Sequence, residues 1–357
     1  MKRFTRFSRL GIIPSVVLVL VLAPSLFADG GANHQVRNTH FGVSGGNIND
    51  VSKAFCCSGT LGSLVTDGAT QYILSNNHVL GRSDAATAGE DISQPGLIDN
   101  GCRVPPIVAD FTTAVPLGQN VDAAIAQLRA GQMDSTGFIE DIGTISSVVK
   151  APSVGLAVAK SGRTTGFTTG TIGSINTSVS VQYQRGCGSG KKFTVSYTNQ
   201  VVINSSTFSA GGDSGSLIVS NNSQTCRQPV ALLFAGSSTT TIGNPIGEVL
   251  SKLGGRLGRS VSFVGGNCTA SAGTAVSDSG PSKAAIDFAT AAMRSREKDL
   301  MSRPGVIGVG VGASDQNATD ASIVVYVDAT AGVNPRLPRR INGVRVKRVY
   351  TEPFVAY

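Results

Sequence analysis

Short apolar runs alternate with clusters of Gly, Asn, Ser and Asp from about residue 54 to residue 264. Examples are LGSLVT, QYILSN, AAIAQL, GLAVAK, GTIGSI, KFTVSY, QVVIN, SLIVS and VALLFAG. This spacing is typical of strands in a barrel or sandwich. The run NPIGEVLSKLGG differs, because Ile246, Val249, Leu250 and Leu253 recur at helical spacing. It predicts one helix, which the two glycines end.

The pattern changes after residues 265–281, whose small and polar composition predicts a linker. SKAAIDFATAAMRSREKDLMS then predicts a helix with Ser282 as its N-cap. Two alternating strands follow, GVIGVGVGAS and ASIVVYVDAT, and VRVKRVYTEPF predicts a last strand. One helix and three strands indicate a small α+β domain over residues 282–357. The glycines of GVIGVGVG do not predict a dinucleotide site, since no helix follows them.

The first 28 residues carry four basic side chains and no acidic one, followed by an apolar run slightly short of a comfortable membrane span. This layout predicts a signal peptide over residues 1–28, and therefore a secreted, periplasmic or extracellular protein. The alternative is an uncleaved N-terminal anchor, because Leu26 is not the small residue that cleavage sites prefer. No later stretch predicts a membrane span. Residues 29–53 are polar and predict an N-terminal extension.

Composition favours an all-β chain with many turns: 15% of residues are charged and 44 are Gly. The net charge is +8, and residues 282–357 hold 11 Lys and Arg against 7 Asp and Glu. The basic stretch PRLPRRINGVRVKRV motivates docking on an anionic surface such as a cell-wall polymer, against the alternative of a solvated basic face. The same region is alternatively an inhibitor or folding aid for the barrels. No nucleic-acid partner is expected.

Six cysteines in an exported chain predict disulfides. Zinc is disfavoured because no C-x-x-C pair exists and only three histidines are present. We expect no metal site and no cofactor. The sequence leaves the pairing open, with a preference for Cys187 with Cys226 and for Cys102 with Cys56 or Cys57.

The stretch SAGGDSGSLIV, residues 209–219, places one serine in a glycine-rich loop before an apolar run. It predicts either a turn or a nucleophile, Ser214, that needs a nearby base. Histidine is the usual base. His34 and His40 fall in the polar N-terminal segment, whereas His78 directly follows a predicted strand and is the preferred candidate.

A carboxylate must hold the tautomer of the base and stabilise its imidazolium form. Asp122, in NVDAAIAQL, enters an apolar run that would anchor it, and Asp110, in IVADFTT, is the runner-up. The predicted catalytic residues therefore occur in the order His78, Asp122, Ser214.

That order resembles the chymotrypsin-like serine peptidases and differs from those of subtilisin and the α/β-hydrolases. CSGTLGSLVTDGATQYILSNNHV, AVAKSGRTTGFTTGTI and GGDSGSLI are similar to segments of the secreted bacterial branch, the α-lytic-protease and streptogrisin type. The resemblance implies an all-β, two-barrel chymotrypsin-like fold, with barrels over about 54–150 and 151–264, followed by the small α+β domain. It implies a secreted serine endopeptidase acting on proteins or peptides. The alternative is a catalytically inactive protein of the same fold that serves as a binding module.

The chain departs from that family at four positions. Ala159 and Thr169 stand where the family has a pair of cysteines, Val79 replaces the cysteine after the histidine, and Ser216 replaces a glycine. Cys57 must therefore find another partner or stay free.

The resemblance also implies roles for residues around the nucleophile. The backbone N–H groups of Gly212 and Ser214 would form the oxyanion hole. Asp213 would point inward and pair with Lys160, which stands in the place of an arginine in the bacterial branch; an unpaired buried carboxylate would be costly.

The implied substrate-binding residues are Phe208, Phe234, Ala235 and Gly236. Gly236 would pair with an extended peptide by strand addition. Because Phe208 is not acidic, cleavage after Lys or Arg is not implied, and we expect a small or apolar side chain before the cut.

Overall fold

The computed structural model describes three stretches of the chain: residues 34–221, 227–266 and 280–357. The predicted signal peptide 1–28, most of the predicted linker 265–281, and both Cys226 and Cys268 lie outside the described residues. Within those three stretches, no helix combines the length and apolar character needed to cross a lipid bilayer.

The first barrel is built from short antiparallel strands with the order β3-β4-β7-β6-β5-β1-β2. Because β2 and β3 are separated only by Gly62, this order closes into a ring. His78 lies on the single-turn helix α1, between β4 and β5. The elements of this region are β1 Val43–Asn47, β2 Gly59–Leu61, β3 Ser63–Thr66, β4 Gln71–Ser75, α1 Asn77–Leu80, β5 Asp91–Ser93, a 3₁₀ turn Leu97–Asn100, β6 Ile107–Ala114, β7 Ala124–Leu128, and the hairpin β8 Phe138–Ile139 and β9 Gly143–Thr144.

The second barrel has the strand order β10-β13-β14-β15-β12-β11, and pairing of β10 with β11 closes it. The predicted two-barrel architecture is therefore confirmed. Its strands are β10 Ala157–Gly162, β11 Gly166–Gln184, β12 Lys192–Asn204, β13 Leu217–Ser220, β14 Pro229–Ser237 and β15 Thr240–Pro245. Helix α2 Ile246–Leu257 follows, and β16 Ser262–Phe263 returns the chain to β3 of the first barrel.

The predicted helix after β15 is present, but its predicted end is wrong. It continues through Gly254 and Gly255 and ends at Gly258, which adopts a left-handed conformation and donates its N–H to the carbonyl of Gly254. A left-handed residue stops a helix, and glycine does so without a Cβ clash.

The C-terminal region consists of α3 Lys283–Arg294, α4 Glu297–Met301, β17 Val306–Ala313, β18 Ala321–Asp328, β19 Arg340–Ile341, β20 Val344–Thr351 and β21 Phe354–Ala356. Ser282 caps α3 as predicted, because its side chain accepts a hydrogen bond from Ala285 N. The single long helix of the prediction is wrong: Arg296, with a φ of −132°, separates α3 from α4.

The C-terminal strands continue the sheet of the second barrel instead of forming a sheet of their own. β17 pairs antiparallel with β11, and β18, β20 and β19 follow in that order. Alternate side chains of β18 then enter two cores. Ile323 and Val325 pack with the C-terminal helices, whereas Val324 and Tyr326 pack with Phe234 of the second barrel. The C-terminal region is thus joined to the barrel by both pairing and packing.

Two disulfides lie within the described residues. Cys56 bonds Cys102, which confirms the expected pairing of Cys102 with one of the two adjacent cysteines. Cys57 bonds Cys187, so the preference for Cys187 with Cys226 is wrong. The physical reason is the length of the β11–β12 hairpin, whose tip carries Cys187 across to the first barrel.

Candidate active site

The loop that carries Ser214 is pressed against the first barrel at the seam between the two barrels. Thr60 N donates to the carbonyl of Ser214 (2.8 Å), and the Thr60 hydroxyl donates to the carbonyl of Gly212 (2.9 Å). A Cβ added at Gly62 would overlap the carbonyl oxygen of Gly215. Glycine is therefore required at position 62 for this close approach, which fixes the loop from one side.

The structure brings His78 and Asp122 into direct contact. His78 Nδ1 lies 2.6 Å from Asp122 Oδ2, and the backbone N–H of His78 donates to Asp122 Oδ1 (3.1 Å). Asp122 lies two residues before β7, as its apolar run predicted, and its side chain is completely buried. The two bonds fix both the position and the ring orientation of the histidine.

Asp122 has further partners that sequence reasoning missed. The Tyr183 hydroxyl donates to Asp122 Oδ2 (2.9 Å), and the Tyr183 and Tyr197 hydroxyl oxygens lie 2.6 Å apart. Asn244 Oδ1 accepts from Asp122 N (2.9 Å). Burial and the neighbouring Asp122 charge raise the pKa of Tyr183 well above its usual range, so its phenol stays protonated and able to donate.

The electrostatics of His78 favour its protonated form. Burial by itself would lower the pKa of His78, but the charge of Asp122 and the hydrogen bond to it overcome that effect, and the pKa is raised. The second ring nitrogen, Nε2, lies 3.0 Å from the main-chain carbonyl oxygen of Tyr357, and the charge of Asp50 adds to the same shift. Both ring nitrogens therefore face acceptors, which suits an imidazolium with two donors.

Ser214 lies on the same seam, with its hydroxyl turned to a different acceptor. Ser214 Oγ donates to the carbonyl of Phe234 (3.3 Å), and no hydrogen bond joins it to His78 within the described stretches. In those stretches the backbone N–H groups of Gly212 and Ser214 also have no acceptor. Two neighbouring free donors at a glycine with a φ of +97° suit an oxyanion.

Asp213 points away from the cleft and into the second barrel, where it is fully buried. Its carboxylate accepts from the backbone N–H groups of Thr164 (2.8 Å) and Ala210 (2.9 Å). Lys160 Nζ lies 3.4 Å from Asp213 Oδ2 and donates to the carbonyl of Gly166 (2.9 Å). Burial lowers the pKa of Lys160, and the Asp213 charge opposes that shift. The residues expected to pair are therefore in contact and tie the nucleophile loop to β10.

The four residues expected to bind substrate occupy different environments. Phe208 is fully buried in the core of the second barrel, against Gly170 and Ile203. It lines neither the cavity of about 650 Å³ beside His78 nor the cavity of about 630 Å³ beside Tyr357. The adjacent Ser209 lines one of them instead. The ring of Phe234 is buried against Tyr197, at a centroid distance of 4.9 Å, and only its backbone carbonyl contacts Ser214.

Ala235 and Gly236 do lie at a strand edge in the cleft. They pair antiparallel with β21, Ala235 opposite Ala356 and Gly236 opposite Val355. The edge predicted to take an extended peptide thus holds a strand from the C-terminal region, which the sequence did not indicate.

The alternative bases and acid are engaged elsewhere. His34 Nδ1 lies 2.9 Å from the carbonyl of Gly42 and its Nε2 lies 2.9 Å from Asp141, and His40 Nδ1 lies 2.7 Å from Glu140. Asp110 forms an ion pair with Arg129 (2.5 Å). None of these contacts involves the Ser214 loop.

A cavity of about 650 Å³ opens beside His78 and Gly212, and Cys57, Arg163 and Asp50 are among the residues that line it. Burial raises the pKa of Asp50 to about 6, against the opposing charges of His78 and Arg82. Sequence reasoning gave no role to Asp50. Within the described stretches, no group of three His, Cys, Asp or Glu side chains is placed to hold a metal ion.

No family model matches the chain, and no curated protein matches it. Among solved structures, a glutamic acid-specific serine protease matches at 22% identity over 62% of this chain and 98% of its own, with a TM-score of 0.43. Thermobifida fusca Protease A matches at 18% identity over 64% of this chain and 99% of its own, with a TM-score of 0.42. Cellulomonas bogoriensis chymotrypsin matches at 19% identity over 58% of this chain and 91% of its own, with a TM-score of 0.38. The solved structures to which this chain is similar are bacterial serine proteases of the chymotrypsin-like type.

Proposed function

We propose that the chain is an exported serine endopeptidase that hydrolyses peptide bonds through an acyl-enzyme intermediate. The observation that carries the proposal is the buried Asp122–His78 pair, whose histidine lines the same cavity as Gly212, two residues before Ser214. The two free N–H groups of the Ser214 loop add a site for developing negative charge. The two disulfides support export, because such bonds persist mainly in oxidising compartments.

In the first step, Ser214 Oγ attacks the carbonyl carbon of the substrate while His78 Nε2 takes the hydroxyl proton. The N–H groups of Gly212 and Ser214 stabilise the oxyanion, a contribution of about 3–4 kcal/mol per donor in comparable sites. The carbon–nitrogen bond then breaks, and His78 gives the proton to the leaving amine. Asp122 stays ionised and stabilises the imidazolium throughout.

In the second step, His78 takes a proton from water, and the resulting hydroxide attacks the acyl carbon. The bond to Ser214 Oγ breaks, and His78 returns the proton to the serine as the carboxylic acid leaves. For this cycle the Ser214 hydroxyl must turn from the Phe234 carbonyl towards His78 Nε2. In the structure the Tyr357 carbonyl occupies that position next to Nε2.

The alternative proposal is a catalytically inactive protein that uses the same cleft for binding. The specific observation in its favour is the hydrogen bond from Ser214 to Phe234, which leaves the serine without contact to its base. Binding of an anionic polymer through the basic stretch 335–349 stays a prediction.

A labelled fluorophosphonate separates the two proposals, because it reacts only with an activated serine. We expect covalent label on the peptide that contains Ser214 in the unaltered chain and none in Ser214→Ala. Ser302→Ala, which removes an exposed serine at the end of α4, is the matched control and should keep the label. A folded protein that takes up no label during a long incubation would favour the inactive alternative. A peptide-library profile then gives the specificity.

A further inference from the structure

We propose that residues Phe354–Tyr357 occupy the acyl side of the substrate cleft as a tethered, substrate-like strand, which inhibits the enzyme and defines a preference for tyrosine before the cut. This inference rests on the proposed function, since it assigns the substrate class and the regulation of that same cleft. Three observations support it: the pairing of β21 with β14 and β11, the direction of the chain from Phe354 to Tyr357, and the contacts of the Tyr357 side chain.

Strand β21 is inserted between two strands of the second barrel. It pairs antiparallel with β14, Gly236 opposite Val355, and parallel with β11, Val181 opposite Phe354. Strand addition of this kind is how extended peptides bind to an open sheet edge. The tail therefore uses the edge at Gly236 that an extended substrate needs.

The direction of the tail matches the acyl half of a cleaved peptide. The chain runs from Phe354 towards the catalytic residues, and the carbonyl oxygen of Tyr357 ends 3.0 Å from His78 Nε2. The proposed reaction needs the carbonyl group at the cut to lie next to the base, which is the position of the Tyr357 carbonyl. The cavity of about 650 Å³ is bordered by both Tyr357 and His78 and extends to Cys57 and Arg163, which leaves space for a leaving group next to the Tyr357 carbonyl.

The side chain of Tyr357 borders a cavity and forms a hydrogen bond at its polar tip. Its hydroxyl donates to the carbonyl of Ser237 (2.8 Å), and its ring lies so close to Gly236 that a Cβ there would overlap the phenol. Ser209 and Ala210 line the same cavity of about 630 Å³. Burial raises the pKa of Tyr357 to about 12, so the phenol remains a neutral donor. The Ser237 carbonyl accepts a hydrogen bond from a neutral phenol but would repel a carboxylate, and Glu352 lines the same cavity, so tyrosine suits this position and an acidic side chain does not.

The tail is held in place before it reaches the cleft. The Thr351 hydroxyl lies 2.5 Å from the Ser237 hydroxyl and 3.2 Å from that of Thr239, and Phe354 is fully buried with its ring 5.8 Å from Tyr326. Short tethers give effective concentrations of about millimolar or more. A substrate must therefore compete with a strand that is always present.

The test uses the full chain, a variant lacking residues 356–357, and Tyr357→Asp, which keeps the chain length but puts a charge beside the cavity. The matched control is Tyr350→Ala, which removes an exposed tyrosine from the neighbouring strand. We expect fluorophosphonate to label Ser214 at least about tenfold faster in both tail variants than in the full chain and the control. Equal labelling rates in all four proteins would overturn the regulatory role and leave the proposed function intact.

Peptide binding gives a readout without catalysis. The dipeptides Ala-Tyr and Ala-Asp, which match the two deleted positions and have free carboxylates, are titrated into the tail-deleted chain that also carries Ser214→Ala. We expect the tyrosine peptide to bind at least about tenfold more tightly, and equal affinities would overturn the assigned preference. If no protein is labelled, the proposed function fails, while preferential binding of the tyrosine peptide still supports the place of the tail.

Discussion

The hydroxyl of Tyr183 donates a 2.9 Å hydrogen bond to Asp122, the carboxylate that holds His78. Both side chains are buried, and Tyr183 comes from the long strand β11 of the second barrel whereas Asp122 comes from the first. The bond therefore joins the two barrels at the acid. It makes Tyr183 a positioning residue, because it acts on the base only through Asp122.

Tyr183→Phe removes this bond and leaves the ring in place. Hydrogen bonds to charged groups contribute about 1.5–3 kcal/mol, so the labelling rate of Ser214 should fall about tenfold to a hundredfold. Loss of the donor also concentrates the Asp122 charge on His78, so the pH at which labelling is half-maximal should move upward. The measurement is the second-order rate constant of labelling between pH 5 and pH 9.

Tyr197→Phe is the matched control, because the Tyr197 hydroxyl contacts Tyr183 and not Asp122. It should change the rate by less than Tyr183→Phe and leave the pH midpoint where it is. If both variants lose the same activity with no change in midpoint, Tyr183 serves only the packing of the core.

Local chemistry made most of the candidate site predictable. The bare loop around Ser214, the histidine directly after a strand and the acid before an apolar run each follow from a few neighbouring residues. The helix cap at Ser282 and the strands of both barrels follow in the same way, because turn formers and alternation are local signals.

The contacts that sequence reasoning missed are those between distant segments. Alternation along β11 indicates that Val179, Val181 and Tyr183 share a face, but not that this face meets Asp122. Likewise, VRVKRVYTEPF predicts a strand but does not indicate which strand it pairs with. The structure places the residues that follow it in the cleft. Cys187 was assigned the wrong partner for the same reason, since only the reach of the β11–β12 hairpin brings it to Cys57.

The raised pKa of His78 sets the pH below which the labelling rate of Ser214 falls. Only the neutral imidazole can accept the proton of Ser214, so the labelling rate should fall as pH drops, with a midpoint above the usual histidine value of about 6.5. Burial opposes the raised pKa, but the charge and hydrogen bond of Asp122, the Tyr357 carbonyl and the charge of Asp50 together outweigh it. A midpoint below that value, measured with the full chain, would contradict this prediction.

Asp50→Asn should stabilise the fold more as pH rises. Burial raises the pKa of Asp50 to about 6 in the folded chain, whereas an unfolded aspartate titrates near 3.9. Folding therefore favours the neutral form of Asp50. The contribution of Asp50 to the stability of the fold is complete below about pH 4 and is lost as pH rises through about 6. The unfolding temperature of Asp50→Asn relative to the unaltered chain should increase from pH 4 to pH 7.5. A constant difference would contradict the burial of the charge.

Lys160→Met should destabilise the second barrel strongly. It removes the cation 3.4 Å from the fully buried Asp213 carboxylate. Breaking a buried pair on one side costs about 3–5 kcal/mol, because the remaining charge has no counterion. Lys191→Met, at an exposed position on the β11–β12 hairpin, is the control and should change the free energy of unfolding by less than about 0.5 kcal/mol. Urea unfolding measures both, and similar losses would mean that Lys160 does not compensate Asp213.

Gly62→Ala tests whether the seam between the barrels fixes the nucleophile loop. A methyl group at this position would overlap the carbonyl oxygen of Gly215, one residue after the nucleophile. Because that oxygen belongs to backbone, the loop must shift, and overpacking of this kind costs about 1–3 kcal/mol.

Gly247→Ala, at an exposed position of α2 with no neighbouring atom near the added methyl, is the matched control and should stabilise slightly. We expect Gly62→Ala to lose Ser214 labelling more than about tenfold while circular dichroism still reports folded β-structure. Retained labelling in a destabilised protein would mean that the seam supports the fold and leaves the position of the nucleophile to the Asp213–Lys160 pair.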